Sequence, residues 1–130
     1  MNNINQPNRP GSGRGSGNAG KGDKMAKYKF TCNAVKWFDK VNGNTYHSVR
    51  IIRHRDGEVL VGSFQYGYGD HYRQTALEIM AACKWLPVKY RGHHENGSSK
   101  AYDYERENNY PILWNVSNGL KRECVANGIV

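Results

Sequence analysis

The residues of this 130-residue chain that could do chemistry are five histidines, eleven carboxylates, three cysteines and a set of cations interleaved with aromatic rings. His93-His94, followed by Asn96, has the look of a paired-histidine nuclease site. Such a site needs further His or Asn ligands downstream, and the chain has no histidine after His94. Neighbouring side chains in an extended loop also diverge, which makes the pair a poor chelate. Asp70-His71 and the Asp56/Glu58 pair could hold magnesium if the fold joined them, but Asp56 already suits a turn and Asp70 a helix cap. Cys32, Cys83 and Cys124 are odd in number and lack any Cys-x-x-Cys spacing, so neither a zinc ribbon nor a disulfide framework is supported and reduced thiols are expected. No metal ligand set, cofactor motif or nucleophile–base order can be read, and the balance favours a protein that is not an enzyme.

Gly67-Tyr68-Gly69-Asp70 before a helix invites an anion-binding reading, because helix N-termini attract anions. It lacks the Gly-Lys-Ser/Thr of a phosphate loop, and a capping carboxylate at Asp70 would repel an anion. The glycines more simply turn a strand into a helix.

Binding is the chemistry that remains. Lys29, Trp37, Tyr46, Arg50, Arg53 and Arg55 alternate cations with rings, the combination that single-stranded nucleic acid needs: rings stack on bases and cations meet phosphates. Arg14 and Lys21 would add phosphate contacts without sequence preference. On this reading Trp37→Ala should cost affinity. The formal charge of +8 and a pI near 9.5 agree with a polyanionic partner. Half of that charge lies before Tyr28, where Arg9, Arg14, Lys21, Lys24 and Lys27 face only Asp23.

The elements that must position these residues can be read in part. Residues 1–26 are rich in Asn, Gly and Ser with almost nothing to bury, and are expected to be a disordered basic tail. Residues 27–130 are expected to form one α+β domain. Tyr28, Phe30, Cys32 and Ala34 alternate with polar residues, the period of a half-buried strand, with a bulge at Val35-Lys36-Trp37-Phe38. Asn42-Gly43 and Asp56-Gly57 signal turns, so three antiparallel strands in a meander are predicted through Tyr66. A two-residue turn at Asn42-Gly43 would pair Lys36 with Val49 and Ala34 with Ile51. Phe30, Cys32, Ala34, Phe38, Val49 and Ile51 would then share the helix-covered face, leaving Lys29, Val35, Trp37, Tyr46, Arg50, Ile52 and His54 on the other.

The meander leads into an amphipathic helix over 70–84, with Asp70 as N-cap and Tyr72, Ala76, Ile79, Met80 and Cys83 as its apolar stripe. A smaller strand and helix extension should follow: a strand over 87–91, a loop over 92–99, a strand over 110–116, and a helix over 118–126 capped by Ser117, preferred to a hairpin at Asn118-Gly119.

Trp37-Phe38-Asp39-Lys40-Val41-Asn42-Gly43-Asn44-Thr45-Tyr46-His47-Ser48-Val49-Arg50 and Gly67-Tyr68-Gly69-Asp70-His71-Tyr72 resemble segments of small uncharacterised proteins encoded by bacteriophages and prophages. The resemblance covers about residues 28–86. It implies a bacterial cytoplasm as the setting and transfers no activity to any residue. Three strands followed by a helix is also similar to the second part of a double-stranded RNA-binding domain. The basic Lys-Lys-x-Ala-Lys opening of that domain's last helix is missing here, so its function is not carried over.

The expectation is therefore a small basic nucleic-acid-binding protein, with single strands favoured over duplex. A protein-interaction module for an acidic host protein is the alternative, and a metal-dependent nuclease the weakest candidate. No membrane-spanning run or export signal is read, so a cytoplasmic location is expected.

Overall fold

A computed structural model of the protein describes residues 27–130; the predicted tail over 1–26 lies outside them. Three strands, β1 (Phe30–Asp39), β2 (Asn44–Arg53) and β3 (Val59–Tyr66), are followed by helix α1 (His71–Ala82). A 3₁₀ turn (Val88–Tyr90), helix α2 (Ala101–Glu107), strand β4 (Ile112–Asn118) and helix α3 (Lys121–Asn127) complete an α+β fold. β1, β2 and β3 are adjacent and antiparallel, but the sheet is more than their meander. β4 joins on the far side of β1, parallel to it, in the order β3-β2-β1-β4. The expected C-terminal extension is thus part of the sheet.

The β1–β2 register differs from the predicted one by two residues: Lys36 pairs with His47 and Ala34 with Val49. The cause is loop length. Asp39 and Asn44 close the hairpin, and Lys40–Gly43 form a four-residue loop with Gly43 at φ 72°. Asp39 holds that loop, its carboxylate accepting the Val41 and Asn42 amides at 3.0 and 3.3 Å. The β2–β3 connection repeats the design. Gly57 (φ 76°) donates to the Arg53 carbonyl at 2.7 Å, as Gly43 does to that of Asp39. A shift of two preserves the side-chain alternation, so the two faces are as predicted although their partners are not. The bulge sits between β2 and β3, near His47–Val49, and β1 runs unbroken.

On the first face, Phe30, Cys32, Ala34, Val49 and Ile51 are buried beneath α1 and α2. Phe38 is exposed, lying at the hairpin end beyond the helix. Helix α1 buries Tyr72, Thr75, Ala76, Leu77, Met80 and Ala81. Cys83, assigned by periodicity to the apolar stripe, instead caps the helix and is exposed. Asp70 occupies the N-cap, but its carboxylate makes no capping hydrogen bond: at ψ 13° it lacks the extended backbone that turns a cap side chain onto the first turn. The predicted strand over 87–91 is the 3₁₀ turn, and α2 was not foreseen in the tyrosine-rich stretch.

The second face is partly covered by α3, which the sequence reading placed but did not orient. Ser48 Oγ donates to the Cys124 carbonyl at 2.5 Å, and Asn127 Nδ2 donates to the Asn33 carbonyl at 3.1 Å. Ser117 belongs to β4. The α3 cap is Leu120, whose amide donates to Glu123 Oε1 at 2.7 Å. No helix among the described residues is long and apolar enough to cross a membrane.

Candidate functional site

A cleft of about 580 Å³ opens at the end of the sheet where β1 starts and β2 stops. Its walls carry four cations, Lys29, Arg53, Arg55 and Lys84, around the rings of Tyr28, Phe30, Trp85 and Tyr104, with His54 completing the lining and no carboxylate in it. Four separate chain segments build it. β1 and β2 bring Phe30 opposite Arg53. The end of α1 supplies Lys84 and Trp85, and α2 supplies Tyr104.

Local packing fixes these groups. Trp85 stacks on Phe30 with centroids 5.8 Å apart and planes 18° off parallel. The Arg53 guanidinium lies 4.5 Å from the Trp85 ring centroid, a cation–π contact. Arg53 also binds Asp56 through Nε–Oδ1 at 3.1 Å and Nη2–Oδ2 at 2.7 Å. The Arg53 hydrogen bond, followed by the Glu58 amide, holds the Asp56 carboxyl down at about 2. Asp56 therefore offsets part of the cleft's charge from just outside its lining. Arg55 Nε stands farther off, 3.7 Å from the same carboxylate, with its side chain 76% exposed. Lys29 and Lys84 have no carboxylate within 4.0 Å among the described residues. His54 ties the wall together: Nδ1 donates to the Tyr28 carbonyl at 2.9 Å, and Nε2 accepts the Thr31 hydroxyl at 2.7 Å. The carbonyl can only accept, which places the ring proton on Nδ1.

Of the residues singled out in the sequence, Lys29, Arg53 and Arg55 are gathered here. Trp37 and Tyr46 are not. They lie on the second face toward the other end of the sheet, about 23 Å from Phe30 at 3.3 Å per strand residue. There Trp37, Tyr46 and Phe64 form a cross-strand cluster. Tyr46 lies 5.6 Å from Trp37 and 4.9 Å from Phe64, the latter at 9° between planes. Lys121 stands 5.5 Å from the Trp37 ring. Trp37 also lies 6.2 Å from Phe64, so the three rings pack mutually on one another. Arg50 donates to the Ile129 carbonyl near the C-terminus. Arg14 and Lys21 lie outside the described residues. Arg53, although cationic, belongs to the first face, because it pairs with Phe30.

The other chemical candidates separate in space. His94 Nε2 meets Asp103 at 2.7 Å, while His93 Nε2 lies 3.8 Å from Glu78. Among the described residues no group of three or more His, Cys, Asp or Glu side chains is placed to hold a metal ion. Cys32 is fully buried, and burial pushes its thiol up to about 12.

Lys84, Trp85 and Tyr28 were missed in the sequence. Nothing in Lys84-Trp85-Leu86-Pro87 marks a site, and only the turn that ends α1 carries them to Arg53. The chain matches no protein-family model, and no curated protein or solved structure matches it.

Proposed function

We propose that the protein binds single-stranded nucleic acid at this cleft, with phosphates meeting Lys29, Lys84, Arg55 and the outer edge of Arg53, and a base packing against Tyr28. The observation that carries the reading is the lining itself: four cations, four rings and no carboxylate in one cavity. Its volume falls within the range of about 300–1,000 Å³ typical of small-ligand pockets, a scale that suits a nucleotide or two of flexible strand. A duplex holds its phosphates on a rigid outer surface and would reach only the rim. The described region begins at Lys27, just before the lining residues Tyr28 and Lys29, so the basic residues from Arg9 to Lys24 precede the site closely in the sequence. The setting we propose is a bacterial cytoplasm, in keeping with the resemblance to phage-encoded chains.

Salt dependence tests the reading. Neutralising about four phosphates on a single strand gives a slope near −3 in log K against log salt. Affinity for a fluorescent oligonucleotide, read by anisotropy on the full chain, should then fall about 50-fold between 50 and 200 mM salt. The tail's cations would steepen the slope, and a chain starting at Ala26 should return it toward −3. Absent or salt-independent binding refutes the proposal. Equal competition by polyglutamate would point to an acidic protein partner instead.

A further inference from the structure

We infer that Lys84 is one of the cleft's phosphate contacts that the fold retains at the expense of helix stability. This rests on the nucleic-acid reading of the cleft and assigns it a residue that neither charge patterning nor periodicity singled out. Helix α1 ends in a Schellman motif. The Trp85 amide donates to the Met80 carbonyl at 2.8 Å and the Lys84 amide to the Ala81 carbonyl at 3.2 Å. The geometry puts Lys84 in the left-handed region at φ 66°. A side chain there crowds the backbone carbonyl, and glycine is the usual occupant.

Elsewhere the chain follows that preference. Gly43, Gly57, Gly69, Gly92 and Gly97 all take positive φ between 60° and 91°. Apart from Lys84, only Asn109 and Tyr110 depart from it among the described residues. At Lys84 no ion pair within the described residues explains the departure, and the residue lines the cleft beside Arg53 and Trp85. Lys84 and Lys29 both line the cleft, from the end of α1 and the start of β1. The helix C-terminus favours a cation in its own right, which is why the test must read binding and stability together.

Lys84→Gly, Lys84→Asn and Lys84→Arg in the full chain separate these roles, with a fluorescein-labelled oligothymidylate of about ten nucleotides as the probe. Lys84→Gly should raise Tm by about 4 °C as the backbone strain is released. It should also weaken binding about five- to tenfold at 50 mM salt and reduce the salt slope by about 0.7. Lys84→Asn, which tolerates the same φ, should lose the same affinity, while Lys84→Arg should keep both affinity and slope. Wild-type affinity and slope in Lys84→Gly would overturn the assignment while leaving the cleft reading intact, as would a fall in Tm. Failure of the wild-type chain to bind the probe would overturn the cleft reading and this inference with it.

Discussion

Replacing Trp37 by alanine distinguishes the two aromatic clusters of this protein. Single-stranded binding by stacking needs an open ring face. Trp37 instead stacks on Tyr46 at 5.6 Å, and Tyr46 stacks in turn on Phe64 at 4.9 Å. Truncating a fully buried tryptophan costs about 3–5 kcal/mol, and Trp37 is half-buried, so roughly half of that applies. Losing the stack adds about 0.5–1.5 kcal/mol, and losing the Lys121 contact at 5.5 Å about 0.5 kcal/mol more at an exposed site. The Trp37→Ala chain should therefore be about 2.5–4.5 kcal/mol less stable in a urea melt followed by circular dichroism, with an unchanged m-value. Its affinity for an oligonucleotide, measured where the variant remains folded, should stay within about twofold of wild type. The opposite pattern would be decisive. A tenfold loss of affinity, about 1.4 kcal/mol, with unaltered stability would make the cluster a binding platform and refute the assignment of binding to the cleft.

Two further predictions concern the frame that holds the cleft. His47 is 1% exposed, with Nδ1 donating to the Gly67 carbonyl at 3.1 Å and Nε2 accepting from Thr75 Oγ1 at 2.7 Å. Burial, aided by the nearby His71 and Lys36 and opposed by the Gly67 hydrogen bond, pushes its pKa below the usual histidine value. The unfolded chain thus takes the proton first: stability from this group is complete above about pH 6.5 and falls by up to about 1.4 kcal/mol per pH unit below it, until the folded pKa is reached. Urea midpoints from pH 5 to 8 should show that slope and lose it in His47→Gln; parallel curves would show that burial is not felt. Gly62→Ala should cost about 1–3 kcal/mol, because a Cβ there would lie 2.7 Å from Val49 Cγ2 and 2.9 Å from both Ile79 Cδ1 and Thr75 Cγ2. An unchanged urea midpoint would mean that α1 can lift off the sheet freely.

The faces of the sheet were legible because alternation is local. Phe30, Cys32 and Ala34 report their burial within five residues, and an error of two in the register left them in place. The register itself was not legible. Asn42-Gly43 marks a turn equally well as a two-residue loop or as the last half of a four-residue one, and the deciding contact is the Asp39 carboxylate on the loop amides. The α2 helix escaped notice because Ala101–Glu107 is short and its apolar residues are one alanine and two tyrosines. Periodicity over seven residues carries little signal. The cover on the second face was illegible for a different reason: Asn127 reaches Asn33 across 94 residues of chain, a distance at which pattern reading says nothing.

The same geometry explains why the site lies where it does. With α1 and α2 on one face and α3 across the middle of the other, no broad sheet surface is left for a ligand, and the rings that do remain near solvent on the second face are stacked on one another. Open space with unsatisfied charge survives at the sheet's end, where β1 begins, the Arg53–Glu58 turn doubles back and α1 breaks off. Turns are where a chain can present cations without burying them, and this end collects three such breaks. Asp56 serves two of its requirements at once. It closes the turn through the Glu58 amide at 3.1 Å and orients Arg53 over Trp85. The carboxylate that weakens the cleft's charge is thus also the group that gives one of its cations a fixed direction. Lys29 and Lys84 lack such an anchor, so theirs are the cations free to take up the proposed phosphate contact.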